Sequence, residues 1–307
     1  MRAVLCLFTL AALLPTGALG QGACDTSAAV RIMPLGNSIT EAASGWASYR
    51  CWLWKELVDS GCCFNLVGSR TGVWLSPPRG QTPSACPYAE FDENHEGHYG
   101  WEANELLYGS TNALFGYTGS LSVWLPASSG QPDIVLVEIG TNDIDRGHGA
   151  ASTRNEIGWI IDSLRAHNPV VTVLVAQITQ AASALPGIDT LNGLLPALVS
   201  AKNDAQSPVF LVDQQTGFNP ATDLRDNFHP NEQGERKIAH KWAVALLPLL
   251  RAATAGHEPI TSRSVRVAVH PAPGATYTLT GRRACAPGTA PAVVVVRLAG
   301  TCVTLVR

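Results

Sequence analysis

Several things that this 307-residue chain lacks narrow its class before any motif is considered. No segment stays apolar for the about 20 residues that a membrane-spanning helix needs, so no membrane partner is expected. Charge is sparse, at 15% of residues, and 21 basic against 24 acidic side chains leave a net charge of −3. That balance offers no basic face for nucleic acid or an anionic lipid surface. No Cys-x-x-Cys pair occurs, and the adjacent Cys62 and Cys63 suit disulfide bridging better than tetrahedral zinc. A disorder signature is missing too, because 46% of the residues are hydrophobic and can bury a large core.

What is present begins with Met1-Arg2, an apolar run from Ala3 to Leu14 and a small-residue exit at Ala18-Leu19-Gly20. This is the pattern of a secretory signal peptide, residues 1–20, and a secreted, extracellular protein is expected. Cleavage would remove Cys6 from the eight cysteines. In an oxidising compartment most of Cys24, Cys51, Cys62, Cys63, Cys86, Cys285 and Cys302 should then pair, with at least one left over. Cys285 and Cys302 stand apart at the far end and are the easiest pair to assign; the other five stay open.

Short apolar segments alternate with helical periodicity through residues 28–251. Strands are expected at Val30 to Leu35, Phe64 to Val67, Asp133 to Ile139, Val170 to Gln177 and Val209 to Asp213. Helices are expected around Trp46, Tyr49, Leu53 and Leu57, from Gly100-Trp101-Glu102, over Thr153 to His167 and Asp189 to Asn203, and from Asn231 onward. This succession of β-α-β units predicts an α/β fold with a mostly parallel sheet and functional groups at the strands' carboxyl ends. Ser69 to Tyr99 reads as one long irregular loop, of the kind that forms a wall of a site. From about Ala252 the texture changes to proline-punctuated short strands, giving a small β-rich extension over 252–307. Tyr277 is its only aromatic residue, which favours a structural role for it over carbohydrate binding.

The turn Gly36-Asn37-Ser38-Ile39-Thr40 follows the first strand. Ser38 there suits a nucleophile on a rigid scaffold and equally suits a helix cap. A hydroxyl nucleophile needs an imidazole to take its proton and an acid to orient that imidazole. Asp226-Asn227-Phe228-His229-Pro230 offers both within four residues. Asp223 is a second carboxylate, but six residues from His229, so Asp226 is the better partner. Acyl transfer also needs donors for the oxyanion. The Ser38 N–H, a backbone N–H at Gly100 and the side-chain amide of Asn142 are candidates, although Gly100 and Asn142 each suit an ordinary turn. His95-Glu96-Gly97-His98 superficially suggests a zinc helix, but its spacing and glycines are wrong for one.

Four blocks in order resemble those of the SGNH hydrolases, also called GDSL esterases: Gly-Asn-Ser-Ile-Thr, His-Glu-Gly-His-Tyr-Gly-Trp, Gly-Thr-Asn-Asp and Asp-Asn-Phe-His-Pro-Asn. Arg-Ile-Met-Pro-Leu-Gly-Asn-Ser-Ile-Thr-Glu and Glu-Gly-His-Tyr-Gly-Trp look most like the family-three carbohydrate esterases, which remove acetyl groups from xylan. The resemblance implies a three-layer α/β/α sandwich with a five-stranded parallel sheet, the flavodoxin-like SGNH fold. It implies Ser38 as nucleophile, Asp226 and His229 as its partners, and Ser38, Gly100 and Asn142 in the oxyanion hole, with no metal and no organic cofactor.

The expected activity is hydrolysis of short-chain, chiefly acetyl, esters on a polysaccharide or small ester by a monomeric enzyme. A general short-chain esterase or lipase, or a silent carbohydrate-binding relative, are the alternatives. One departure is Asn37, where the family usually has Asp; an amide can still hydrogen-bond within the turn but carries no charge.

Overall fold

The computed structural model describes residues 29–75, 80–110, 119–127, 131–254, 293–298 and 301–306. The expected signal peptide and Cys285 of the expected Cys285–Cys302 pairing fall outside them. The chain divides into two compact units, Met1–Thr261 and Ser262–Arg307.

In the first unit, β1 (Val30–Gly36) leads into a single helical turn, α1 (Ser38–Glu41), and then α2 (Tyr49–Asp59) and β2 (Phe64–Leu66). The strands β3 (Val73–Leu75), β4 (Gly80–Thr82) and β5 (Glu96–Gly97) follow, then α3 (Ala103–Tyr108) and α4 (Leu121–Ala127). The remainder is β6 (Ile134–Glu138), α5 (Thr141–Asp145), α6 (Ala150–His167), β7 (Thr172–Ala176), α7 (Pro186–Lys202), β8 (Val209–Val212), α8 (Pro220–Asp223) and α9 (Glu232–Thr254).

Five parallel strands run in the order β2-β1-β6-β7-β8, and the short β5 adds to β1. Alternation along each strand assigns side chains to two faces. Met33, Leu35, Val135, Val137, Val173 and Val175 pack with α3, α4, α6 and α7. Ile32, Ile134, Leu136 and Leu174 pack with α2 and α9. The result is the three-layer sandwich expected from the sequence. On α9, Ile238, Trp242, Leu246 and Leu250 recur every four residues and are all buried, which fixes the face that helix turns to the sheet.

The chain steps from β1 outward to β2, then returns to place β6 on the other side of β1. The loops after β1 and β6 therefore diverge at a topological switch point, where open α/β sheets place their ligands.

Two expectations need correction. Ser69 to Tyr99 is not wholly irregular: Val73–Leu75 and Gly80–Thr82 pair as an antiparallel hairpin, and Glu96–Gly97 joins β1 in register with Leu35 and Gly36. Backbone pairing, which side-chain periodicity does not encode, orders that stretch. Trp46 precedes the helix rather than sharing its face, because Ser48 caps α2 by accepting the Arg50 N–H.

Cys51 and Cys86 form a disulfide, Cys63 is also disulfide-bonded, and Cys62 is a buried free thiol. In the second unit, β9 (Val293–Leu298) and β10 (Thr301–Val306) form an antiparallel hairpin.

Candidate active site

Asn37 is the N-cap of α1, and its Oδ1 accepts the Ile39 N–H at 2.9 Å. That settles the ambiguity at the turn, since capping falls to Asn37 and the Ser38 side chain is left for another partner. Ser38 itself is the first helical residue, so its backbone N–H has no intrahelical acceptor. Its Oγ lies 2.9 Å from His229 Nε2, joining positions 191 residues apart.

The loop carrying His229 is shaped by Asp226. One carboxylate oxygen accepts the N–H groups of Phe228 and His229 at 2.9 and 2.8 Å, folding the loop back on its own acid. The same carboxylate then meets His229 Nδ1 at 3.0 and 2.9 Å. An ionised carboxylate only accepts, so Nδ1 carries the proton and Nε2 is free to accept from the Ser38 hydroxyl. Burial lifts the Asp226 carboxyl, but the two N–H bonds and the imidazole outweigh it and hold it below the ordinary carboxylate range. Burial lowers His229, Asp226 raises it and Arg225 lowers it again, for a net shift downward, so the imidazole is neutral at neutral pH and its Nε2 is open to a proton.

Asp223 lies elsewhere. It is fully buried and accepts from the Asn219 N–H at 2.6 Å and from Lys237 Nζ at 2.7 Å.

The segment carrying Gly100 is tied to the serine strand by the β1–β5 pairing and by the His98 N–H, which donates to the Gly36 carbonyl at 2.9 Å. Gly100 has φ 78°, the left-handed region that favours glycine, and its carbonyl accepts from Arg146 Nη2 at 2.7 Å. Asn142 follows β6 on α5, and its Nδ2 donates to the Trp101 carbonyl at 2.7 Å. A side-chain amide has two hydrogens, so one remains for a ligand. The loops after β1, β5 and β6 thus bring Ser38, Gly100 and Asn142 to one edge of the sheet.

His95 and His98 serve packing. His95 Nε2 meets the Gly72 carbonyl at 3.1 Å, and His98 pairs with Glu96 at 2.8 Å while stacking on Trp124. Among the described residues no cluster of His, Cys, Asp and Glu side chains is placed to hold a metal ion.

Sequence reasoning missed the surroundings of His229. Tyr99 stacks on its ring, Trp74 stacks on Tyr99, and Arg225 lies over Trp46. Tyr99 and Arg225 sit directly beside Gly100 and Asp226, so adjacency to the blocks was the available signal. Glu138 was also missed: it ends the most apolar strand, is 2% exposed, and neither carboxyl oxygen has a hydrogen-bond partner. Burial alone pushes its pKa up to about 8.

A hydroxyl, an imidazole and a carboxylate in series at the switch point of a parallel sheet form the arrangement that nucleophilic acyl transfer requires. Residues 88–237 match the family model of the GDSL-like lipase/acylhydrolase family, a span that holds Gly100, Asn142, Asp226 and His229 and begins after Ser38. A multidomain esterase of Ruminococcus flavefaciens is 28% identical over 241 residues, 73% of this chain. The match spans only 29% of that longer protein.

Among solved structures, a carbohydrate esterase family 3 protein from Talaromyces cellulolyticus is 29% identical, with a TM-score of 0.59, over 73% of this chain and 99% of that one. An acetyl esterase mutant solved with acetate ion has the same identity, coverage and TM-score. The chain is thus similar to SGNH hydrolases of the GDSL esterase type, and carbohydrate esterases are among its structural neighbours.

Proposed function

We propose that this chain is a secreted serine esterase that removes acetyl groups from carbohydrate, xylan among the candidates, with Ser38, His229 and Asp226 as its catalytic triad. The observation that carries the mechanism is the unbroken series from Ser38 Oγ to His229 Nε2 and from His229 Nδ1 to Asp226. The acetyl group and the carbohydrate are supported by the family-three carbohydrate esterase and acetyl esterase neighbours. Secretion is supported by the signal-like first twenty residues and by disulfides at Cys51, Cys86 and Cys63.

In the first half-reaction, Ser38 Oγ forms a bond to the ester carbonyl carbon as its proton passes to His229 Nε2. The carbonyl π electrons move to oxygen, and that oxyanion takes hydrogen bonds from the Ser38 N–H, the Gly100 N–H and the remaining Asn142 amide hydrogen. The intermediate collapses, the sugar oxygen leaves with the proton from Nε2, and the acetyl group stays on Ser38. Water, deprotonated by the same Nε2, then repeats the sequence and releases acetate. Asp226 keeps Nδ1 protonated and offsets the imidazolium charge throughout.

The test is an assay on acetylated xylan, acetylated glucose and p-nitrophenyl esters of increasing chain length, with Ser38→Ala as control. Deacetylation by the native protein and its loss in Ser38→Ala are expected. Equal rates for the two proteins overturn the nucleophile assignment, and a preference for eight-carbon over two-carbon esters makes the protein a lipase.

A further inference from the structure

We propose that Tyr99 is a positioning residue for the reaction: its ring holds the His229 imidazole in plane with Ser38 and Asp226, and its π face stabilises the imidazolium that forms during acyl transfer. The inference rests on His229 being the general base, as proposed above.

Three near-parallel rings run outward from the candidate site. Tyr99 and His229 are stacked, with centroids 5.3 Å apart and planes 22° from parallel. Trp74 and Tyr99 are stacked more closely, at 4.3 Å and 18°. Hydrogen bonds at Nδ1 and Nε2 hold an imidazole along the line joining its partners but leave it able to rock about that line. A flat ring packed against its face removes this freedom. A cation within about 6 Å of an aromatic centroid is also attracted to the ring's negative face, whereas a neutral imidazole gains little. Stabilisation that grows as the proton arrives lowers the barrier rather than merely tightening the ground state.

Tyr99 is itself fixed to the nucleophile's helix. Its backbone N–H donates to Glu41 Oε2 at 2.7 Å, and Glu41, fully buried three residues after Ser38, is paired through its other oxygen with Arg70 at 2.7 Å. Trp74 is fixed to the same segment, donating its N–H to the Ala42 carbonyl and accepting the Ser44 N–H. The strap from Trp74 to Tyr99 therefore references the imidazole's plane to the helix that carries Ser38, although His229 lies 191 positions away.

Among the described residues, the other groups bearing on the imidazole are Asp226 and Arg225 of its own loop and Ser38 of α1. None of them covers its face as Tyr99 does.

The experiment compares Tyr99→Phe and Tyr99→Leu in the full chain, measuring kcat and KM for a p-nitrophenyl acetate substrate across pH. Tyr99→Phe keeps the face and should retain native kcat and the native acid limb. Tyr99→Leu keeps apolar bulk without a π face and should lose about three- to thirtyfold in kcat with little change in KM. Its acid limb should fall by about half a unit to one unit, because a base that loses a stabiliser of its protonated form becomes a weaker base.

In the native protein, the His229 ring protons, identified by their loss in His229→Asn, should show the upfield ring-current shift of a stacked imidazole. This measurement does not depend on how well the leucine variant folds. A native pH profile and kcat in Tyr99→Leu, equal damage from Phe and Leu, or unshifted His229 ring protons each overturn the proposal. An active His229→Asn enzyme instead overturns the reading on which it rests.

Discussion

Asp226 and Asp223 lie three residues apart, yet their surroundings give them different work. Asp226 faces His229 Nδ1, while Asp223 is closed around Lys237 and the Asn219 N–H. Asp226→Asn should therefore cut kcat by orders of magnitude while the protein stays folded, since an amide cannot hold Nδ1 as the donor in the same way. Asp223→Asn should leave kcat near native and lower the melting temperature, because it strips Lys237 of its buried partner. Steady-state kinetics beside thermal unfolding on both variants separates the two roles. At Asn142, replacement by Ala should raise the barrier by about 2.7 to 4 kcal/mol if the amide serves the oxyanion. A loss of less than a few-fold in kcat/KM would confine it to its bond with Trp101. These residue choices were legible in the sequence because an Asp and a His three apart on a turn restrict what the loop can do. Tyr99 was not legible as a partner of His229, since stacking across 130 positions leaves no local pattern.

At the scale of elements, the strands and long helices follow directly from periodicity, but the stretch from Ser69 to Tyr99 does not. Its order comes from a two-stranded hairpin, from Glu96–Gly97 joining β1, and from Cys86 bridging to Cys51 on α2. That disulfide closes a span of 35 residues, a constraint on the unfolded chain on the order of 3 to 4 kcal/mol. Replacing both cysteines by alanine should lower the unfolding free energy by roughly that amount, as read by urea denaturation. Because the same stretch ends in Tyr99, kcat should also become more sensitive to temperature in the double variant than in the native protein. A double variant as stable as the native protein would show that the hairpin and the β1 pairing hold the stretch unaided.

For the whole molecule, the buried acids set how stability depends on pH. Burial lifts Glu138 to about 8, and it lifts Asp143 and Glu235 to about 7. The unfolded chain releases these protons near the ordinary carboxylate range while the folded chain keeps them. Between those values the folded state binds more protons, and stability falls as pH rises, by about 1.4 kcal/mol per unit for each group. His95, His98 and His229, whose pKa values burial lowers, act in the opposite sense below the unfolded value of about 6.5, so the decline should show from pH 6.5 to pH 8. Glu138→Gln, which puts a neutral group of the same shape at the buried end of β6, in register with Gly36, should decline less over that interval and be the more stable protein at pH 8. Denaturation midpoints for both proteins at the two pH values provide the check. Equal slopes would mean that Glu138 is ionised in the folded state.

The sequence alone determined the layer architecture, because apolar periods of two and of 3.6 residues are properties of consecutive side chains. It also determined the chemical types at the site, because Gly-Asn-Ser, Gly-Thr-Asn-Asp and Asp-x-x-His each place their reactive groups through local turns. Tertiary structure decided the rest. Whether Ser38 caps a helix or faces an imidazole depended on Asn37 taking the cap and on His229 arriving from the far end of the domain. Which cysteines pair, where Glu138 loses its solvent and what lies against the His229 ring are likewise matters of distance between segments remote in the chain. No local rule fixes such distances; they follow only when both faces of the sheet are packed.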